Sequence, residues 1–267
     1  MQDKWAPLPL LPVRYFGLGQ VNGKLVAVGG VKAKDKTPSN EIYTYDEKVQ
    51  RWKQTIPPMQ MARSTPGVLS LQSVLVVAGG ELEQNSYSNT VEIFKPGMSQ
   101  WQETDPLPTA CCKISTVSIG NTCYVLGGYK YPSNLKQVLC ASVDDLLCNA
   151  SSANVHTTHS MGSDRKDVPS AWKTLPDIPI YIPTAGVLAG NLIAIGGDKT
   201  ISEGGAKTKA YVYSHSTDSW IFISDLPTQR SMTTVANLSS TEILVIGGKY
   251  SGNNVKTVYK GTLSMRV

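Results

Sequence analysis

Apolar and polar residues alternate along this chain in short runs, and five apolar runs end in a glycine pair: Leu25–Gly30, Val74–Gly80, Cys123–Gly128, Leu192–Gly197 and Ile243–Gly248. Each run stands in the same surroundings. An alternating stretch precedes it, a second alternating stretch with aromatic residues follows, and a tryptophan then leads into a proline turn. Period-two patterning bounded by Gly, Asn and Pro reads as β-strand. Each unit is therefore expected to be a four-stranded meander, a-b-c-d. In the first, strand a is about Tyr15–Gln20, b Lys24–Gly29, c Glu41–Asp46 and d Arg51–Ile56, and later c strands are placed at Thr90–Lys95, Ala210–Ser214 and Val255–Lys260.

The tryptophans Trp52, Trp101, Trp172 and Trp220 follow the first four glycine pairs, and the fifth pair has none after it. Its counterpart stands at the other end of the chain, as Trp5 before Ala-Pro-Leu-Pro. The steps from Trp5 onward are 47, 49, 71 and 48 residues, and the step from Trp220 through the C-terminus back to Trp5 is 52. The pattern is circular, so the strand holding Trp5 is expected to pair with the last c strand and hide an otherwise exposed β edge.

A unit of about 50 residues marked by a glycine pair and a tryptophan resembles the Kelch repeat of β-propellers, and the resemblance covers essentially the whole chain. It implies an all-β Kelch β-propeller, with five blades of four antiparallel strands where six is common in the family. The ring would be closed by the N-terminal strand joining the C-terminal blade. Residues 1–267 then form a single domain, with a flexible insertion at about 145–170 that accounts for the long third step. Kelch modules are often attached to other domains, which the resemblance leaves open. A single blade cannot cover both of its faces, so the tryptophans are expected to pack between blades, each burying ~150–250 Å². The glycine pairs are expected at strand ends where the backbone takes positive φ or approaches closely.

Composition narrows the function classes. With 41% apolar and 17% charged residues the chain suits one soluble globular domain. No run approaches the ~18–20 apolar residues of a membrane span. Met1-Gln-Asp-Lys lacks the features of a signal peptide, so a cytoplasmic location with no membrane partner is expected. Five cysteines, with Cys111 and Cys112 adjacent, form no paired framework and suit reduced thiols. The net charge of +5 is modest and its cations are dispersed, which argues against nucleic acid as a partner.

Little in the chain suits catalysis. His156 and His159 lie in the insertion, near the charged run Asp164-Arg-Lys-Asp167, without a carboxylate constellation to complete a metal site. His215 reads as a c–d turn residue. No Gly-x-Ser-x-Gly elbow or His-Glu-x-x-His motif occurs. No catalytic residue, metal ligand or cofactor is assigned.

What remains is a surface. In such a meander the d–a and b–c connections emerge at one end of the blade. The d–a connections carry Arg14, Arg63 and Arg230, with Lys113 close to the same phase and Ile182 in the fourth unit. In Kelch domains that bind peptides, arginines at this phase often face the ligand. The b–c loops add lysines together with Tyr87, Tyr129, Tyr131 and Tyr250. Arginine makes paired hydrogen bonds to carboxylates and phosphates, and tyrosine supplies rigid contact area. A non-enzymatic module that binds an acidic or phosphorylated protein segment is expected, acting as a monomer. The alternatives are a carbohydrate or small-molecule binder or sugar-modifying enzyme using the central pocket, and a structural module of a larger protein. At the level of single residues, Asp105, Asp177 and Asp225 could pair with the arginines internally, and Asn40, Asn89, Asn134 and Asn254 read as turn caps.

Overall fold

The computed structural model describes residues 8–155, 170–181, 183–197, 209–250 and 253–262. Trp5, His156, His159, the run Asp164–Asp167, Ile182, Asp198, Lys199 and Glu203 lie outside them. The described residues divide between two compact units, one within residues 1–112 and 150–156 and the other within 113–149 and 157–267.

The first unit holds two antiparallel meanders. Blade 1 runs Gly17–Val21 (a), Lys24–Val28 (b), Ile42–Asp46 (c) and Arg51–Lys53 (d), hydrogen-bonded in that order. Blade 2 repeats it as Gly67–Leu71, Val74–Ala78, Val91–Phe94 and Gln102–Thr104. The second unit holds blade 3, Ser115–Ile119, Thr122–Leu126, Val138–Ser142 and Lys173–Leu175. Blade 4 follows as Thr184–Leu188, Asn191–Ile195, Lys209–Ser214 and Ser219–Asp225. Blade 5 has three strands among the described residues, Thr234–Asn237, Glu242–Ile246 and Val258–Thr262. The architecture is the expected all-β, five-bladed propeller. The last c strand starts three residues later than the sequence pattern placed it, and the closing strand expected from Trp5 lies outside the described residues.

The b strands are the most apolar because both faces are covered: in Val74–Ala78 every residue is buried. Val21, Val26, Val28 and Ile42 of blade 1 pack with Leu75, Val77, Phe94 and Trp101 of blade 2. A matching layer joins Tyr124, Leu126 and Val138 of blade 3 to Leu192, Ala194 and Tyr213 of blade 4. Trp101 is fully buried, which at ~25 cal/mol/Å² over ~200 Å² gives about 5 kcal/mol of gross burial. The indoles also have a repeated polar task. Trp52, Trp101 and Trp220 donate Nε1–H to the carbonyls of Pro9, Pro57 and Pro176 at 2.9, 2.7 and 2.9 Å. One atom of each tryptophan therefore clips its blade to the proline turn of an earlier segment.

The glycine pairs end the b strands as expected. Gly29 and Gly30 both have positive φ, and a Cβ on Gly29 would lie 2.6 Å from the Arg63 carbonyl. The same two-residue conformation recurs at the other four pairs. Only glycine accepts this turn without strain.

Residues Val143–Val155 form a helix that runs into the insertion expected at about 145–170, whose residues 156–169 lie outside the described ones. Ser142 caps it, accepting from the Asp144 N–H at 3.2 Å, and Asp144 and Asp145 sit in its first turn, where the helix dipole favours anions. Val143, Leu146 and Ala150 are buried, at the i, i+3, i+7 spacing of one helical face. No helix among the described residues is long and apolar enough to cross a membrane.

Candidate functional site

In blades 1, 2 and 5 the two connections at one end of the blade are joined by short ladders or single bridges. Val13 and Arg14 pair with Lys32 and Val31, Ser64 bridges to Glu81, and Ser231 bridges to Lys249. In these three blades the d–a segment thus lies against the first residues of its own b–c loop, which sets the side chains of both at one end of the blade.

Counting from the first residue of strand a aligns these segments. Four positions earlier stand Val13, Arg63, Cys111, Ile180 and Arg230, and all five are buried. Two positions earlier stand Tyr15, Thr65, Lys113 and Met232, all with left-handed φ. Of these, Tyr15, Lys113 and Met232 are exposed. In sequence, Arg14 shares the phase of Arg63 and Arg230 and Lys113 stands close to it. The structure corrects that register by one residue for Arg14 and by two for Lys113, because proline turns of unequal length precede the a strands.

Arg63 and Arg230 are fully buried, and their guanidiniums face their own blades. Arg63 Nη1 donates to the carbonyls of Gly79 and Thr90 at 2.8 and 2.9 Å, and Nη2 donates to Thr90 Oγ1 at 2.7 Å and Glu92 Oε1 at 2.5 Å. Arg230 repeats the pattern on Gly247 O, Thr257 O and Thr257 Oγ1, with Thr228 Oγ1 as its fourth acceptor. Each arginine binds the first glycine of the pair and the threonine before strand c, so it fixes the entrance and exit of the b–c loop. The expectation that these two arginines face a ligand directly is corrected to that extent. The carboxylate paired with Arg63 is Glu92 of strand c, not an aspartate at the end of strand d. Burial lowers the pKa of the Arg63 guanidinium, and the Glu92 charge opposes that shift.

Asn40 and Asn89 also act across the blade rather than as local turn caps. Their amides donate to the carbonyls of Met59 and Leu107 at 2.9 and 3.2 Å, tying the start of strand c to the d–a connection.

The remaining predicted residues lie nearer the surface. In the first unit, exposed Arg14 places its guanidinium carbon 5.4 Å from the ring centroid of exposed Tyr15. Tyr87 is half-buried and bridges back to Glu81. In the second unit, Lys113 holds its ammonium 5.0 Å from the Tyr129 ring centroid. Tyr129–Lys130 pairs with Ser133–Asn134 to make a small hairpin with Tyr131 at its tip, 73% exposed. The corresponding hairpin of blade 5, Lys249–Tyr250 with Asn253–Asn254, presents Lys249 and Tyr250. Structure thus brings Lys113 and Tyr129 into contact and sets Lys130 and Tyr131 beside them.

His215 lies in the c–d turn as expected, with its ring edge-on to Tyr213 at 4.8 Å. It borders a cavity of about 410 Å³ on blade 4, whose floor is Leu188, Ile193, Val212 and Ile223. Tyr213 donates to Asp218, and burial together with that bond pushes its pKa up to about 12. Among the described residues no group of three or more His, Cys, Asp and Glu is placed to hold a metal ion.

These repeats match the Kelch motif family model over residues 12–60 and 62–108. Two Kelch motifs are thus present within residues 12–108, and the chain as a whole is similar to Kelch-repeat proteins. Kelch-like protein 40 of Mus musculus is 32% identical over 127 residues, covering 47% of this chain and 20% of that protein. Kelch-like protein 25 of Homo sapiens is 24% identical over 255 residues, covering 92% of this chain and 38% of the relative. The chain therefore spans between a fifth and two fifths of the length of these relatives. The solved structure of YjhT aligns over 100% of this chain and 87% of its own with a TM-score of 0.78. At 15% identity that likeness shows a shared propeller fold and nothing about function.

Proposed function

We propose that this Kelch propeller is a non-enzymatic, cytoplasmic protein-interaction module that binds an acidic or phosphorylated segment of a partner protein through its d–a and b–c connections. The observation that supports it is the Lys113–Tyr129 contact with exposed Lys130 and Tyr131 beside it. Cations over and around tyrosine rings offer an acidic segment both charge and rigid apolar area. Arg14 on Tyr15 provides a similar pairing in the first unit, and Lys249 with Tyr250 presents the same residue types on blade 5. The buried arginines support the surface indirectly, by holding the loops that carry it.

The test is a proteome-derived peptide display selection on the parent and on a folded Lys113→Glu, Lys130→Glu variant. An acidic motif enriched by the parent and lost by the variant is expected. Equal enrichment of acidic peptides by both, or no enrichment by the parent, would refute the reading.

A further inference from the structure

We propose that the outer strand of blade 4, Ser219–Asp225, is a self-association edge that pairs antiparallel with the same strand of a second copy of this chain, in place of the monomer expected from sequence. This edge is separate from the d–a and b–c connections and independent of the acidic-segment reading. Strand d ends the sheet of blade 4, and among the described residues Trp220–Ser224 make no backbone hydrogen bond to any strand but c. In blades 1, 2 and 3 the corresponding strand has three residues, and the three residues after its tryptophan are Lys53-Gln-Thr, Gln102-Glu-Thr and Lys173-Thr-Leu. In blade 4 the strand has seven residues, and the same place reads Ile221-Phe-Ile, exposed by 48, 47 and 37%.

An open β edge is matched only by another extended chain, and proteins blunt such edges with charges, proline or a bulge. Between Ser219 and Ser224 strand d has neither charge nor proline. Its one irregularity is an extra residue at Ile223, opposite the step from Ala210 to Tyr211, so Ser219–Phe222 before it keep regular pairing. That stretch is complementary to itself. With Ile221 on a two-fold axis, the antiparallel copy sets Ile221 against Ile221 on one face of the sheet and Trp220 against Phe222, twice, on the other. Aromatic and β-branched cross-strand pairs are among those that stabilise a sheet. The aromatic face is already assembled: the Phe222 ring lies edge-on to Tyr211 with centroids 5.9 Å apart, and Trp220 lies 5.5 Å from Tyr213. Charge does not oppose the contact. Asp218 is held in the turn by the Tyr213 hydroxyl, and Asp225 stands beyond the paired stretch, in register with its own Lys209.

The test is sedimentation equilibrium of the whole chain over a concentration series, for the parent, Ile221→Lys, Ile221→Glu and an equimolar mixture of the two variants. The expected result is a reversible monomer–dimer equilibrium for the parent and, for each variant alone, a dissociation constant raised by ~10-fold or more, because like charges then face each other on the axis. The mixture should recover the dimer, since a residue on a two-fold axis meets its own counterpart and Lys then meets Glu. A parent that stays monomeric at every concentration, variants that dimerise as the parent does, or a mixture no tighter than either variant alone overturns the edge pairing. Hydrogen exchange of the parent gives a reading that needs no substitution. The amides of Trp220–Ile223 should exchange more slowly in concentrated than in dilute solution, and equal exchange there at concentrations where the dimer is populated also overturns it.

Discussion

Glu92 is the residue on which the second blade's internal polar network turns, and Glu92→Ala is the variant that measures it. Its side chain and that of Arg63 are both fully inaccessible, with Nη2 and Oε1 2.5 Å apart. The same carboxylate accepts the backbone N–H groups of Gln60 and Met61 at 2.7 and 3.1 Å. Truncation leaves a buried guanidinium with its charge unmatched and orphans two backbone donors of the d–a connection. Breaking a buried pair from one side costs about 3–5 kcal/mol, because the partner's desolvation is no longer offset. At about 2–4 °C per kcal/mol for a chain of this size, the melting temperature should fall by roughly 6–20 °C. Equilibrium unfolding in urea gives the free energy, with an unchanged slope showing that the folded state keeps its compactness. The double variant Arg63→Met, Glu92→Leu removes both charges together and should lose less than Glu92→Ala alone, although the Gly79 and Thr90 carbonyls then lack their donor. A Glu92→Ala loss below about 1 kcal/mol, or a double variant less stable than the single one, would refute the claim that the pair's charges are mutually dependent.

Other consequences can be checked by simpler means. Trp101→Ala removes a fully buried indole and its bond to Pro57, and should destabilise by about 3–5 kcal/mol in urea unfolding; half-buried Trp52, truncated the same way, should lose distinctly less. Burial pushes the Cys123 thiol up to about 12, so near neutral pH an alkylating reagent followed by mass spectrometry should label exposed Cys148 first and reach Cys123 only on unfolding; rapid native labelling of Cys123 would contradict this. Burial and the Glu41 carboxylate raise Tyr43 to about 12, from an ordinary 10.0. A raised folded-state value favours the neutral phenol, so its stabilising contribution is complete below about pH 10 and is lost as pH rises toward 12. Phenolate absorbance should show late-ionising tyrosines, Tyr43 and Tyr213 among them, whose amplitude Tyr43→Phe lowers by one tyrosine, and a curve in which all tyrosines ionise together near 10 would count against the burial seen here.

Much of this fold was legible because its determinants are local and repeated. Alternation within Leu25–Gly30 and its four counterparts marks the b strands, since a strand's faces are set by a period of two, and the glycine pairs mark turns that other residues would strain. The spacing of Trp5, Trp52, Trp101, Trp172 and Trp220 counts the five blades without reference to any contact. The helix Val143–Val155 had a readable start in Ser142-Val-Asp-Asp, but its apolar face is short and sits inside an otherwise polar stretch, so periodicity did not announce it.

The site depended on register, and register is where the linear reading failed. Arg14, Arg63, Lys113 and Arg230 look alike as basic residues after a proline turn, yet a shift of one or two positions separates a buried tie from an exposed contact. Neither the pairing of Arg63 with Glu92 across 29 residues nor the replacement of that glutamate by Tyr259 in the fifth repeat could be weighed until strand pairing set the phase. By itself, the sequence determined the repeat, the strand order within each unit and the number of units, because those follow from local periodicity and turn chemistry. Which cations are buried and which face solvent was decided only by tertiary structure, because burial depends on side chains brought together from segments far apart in the chain.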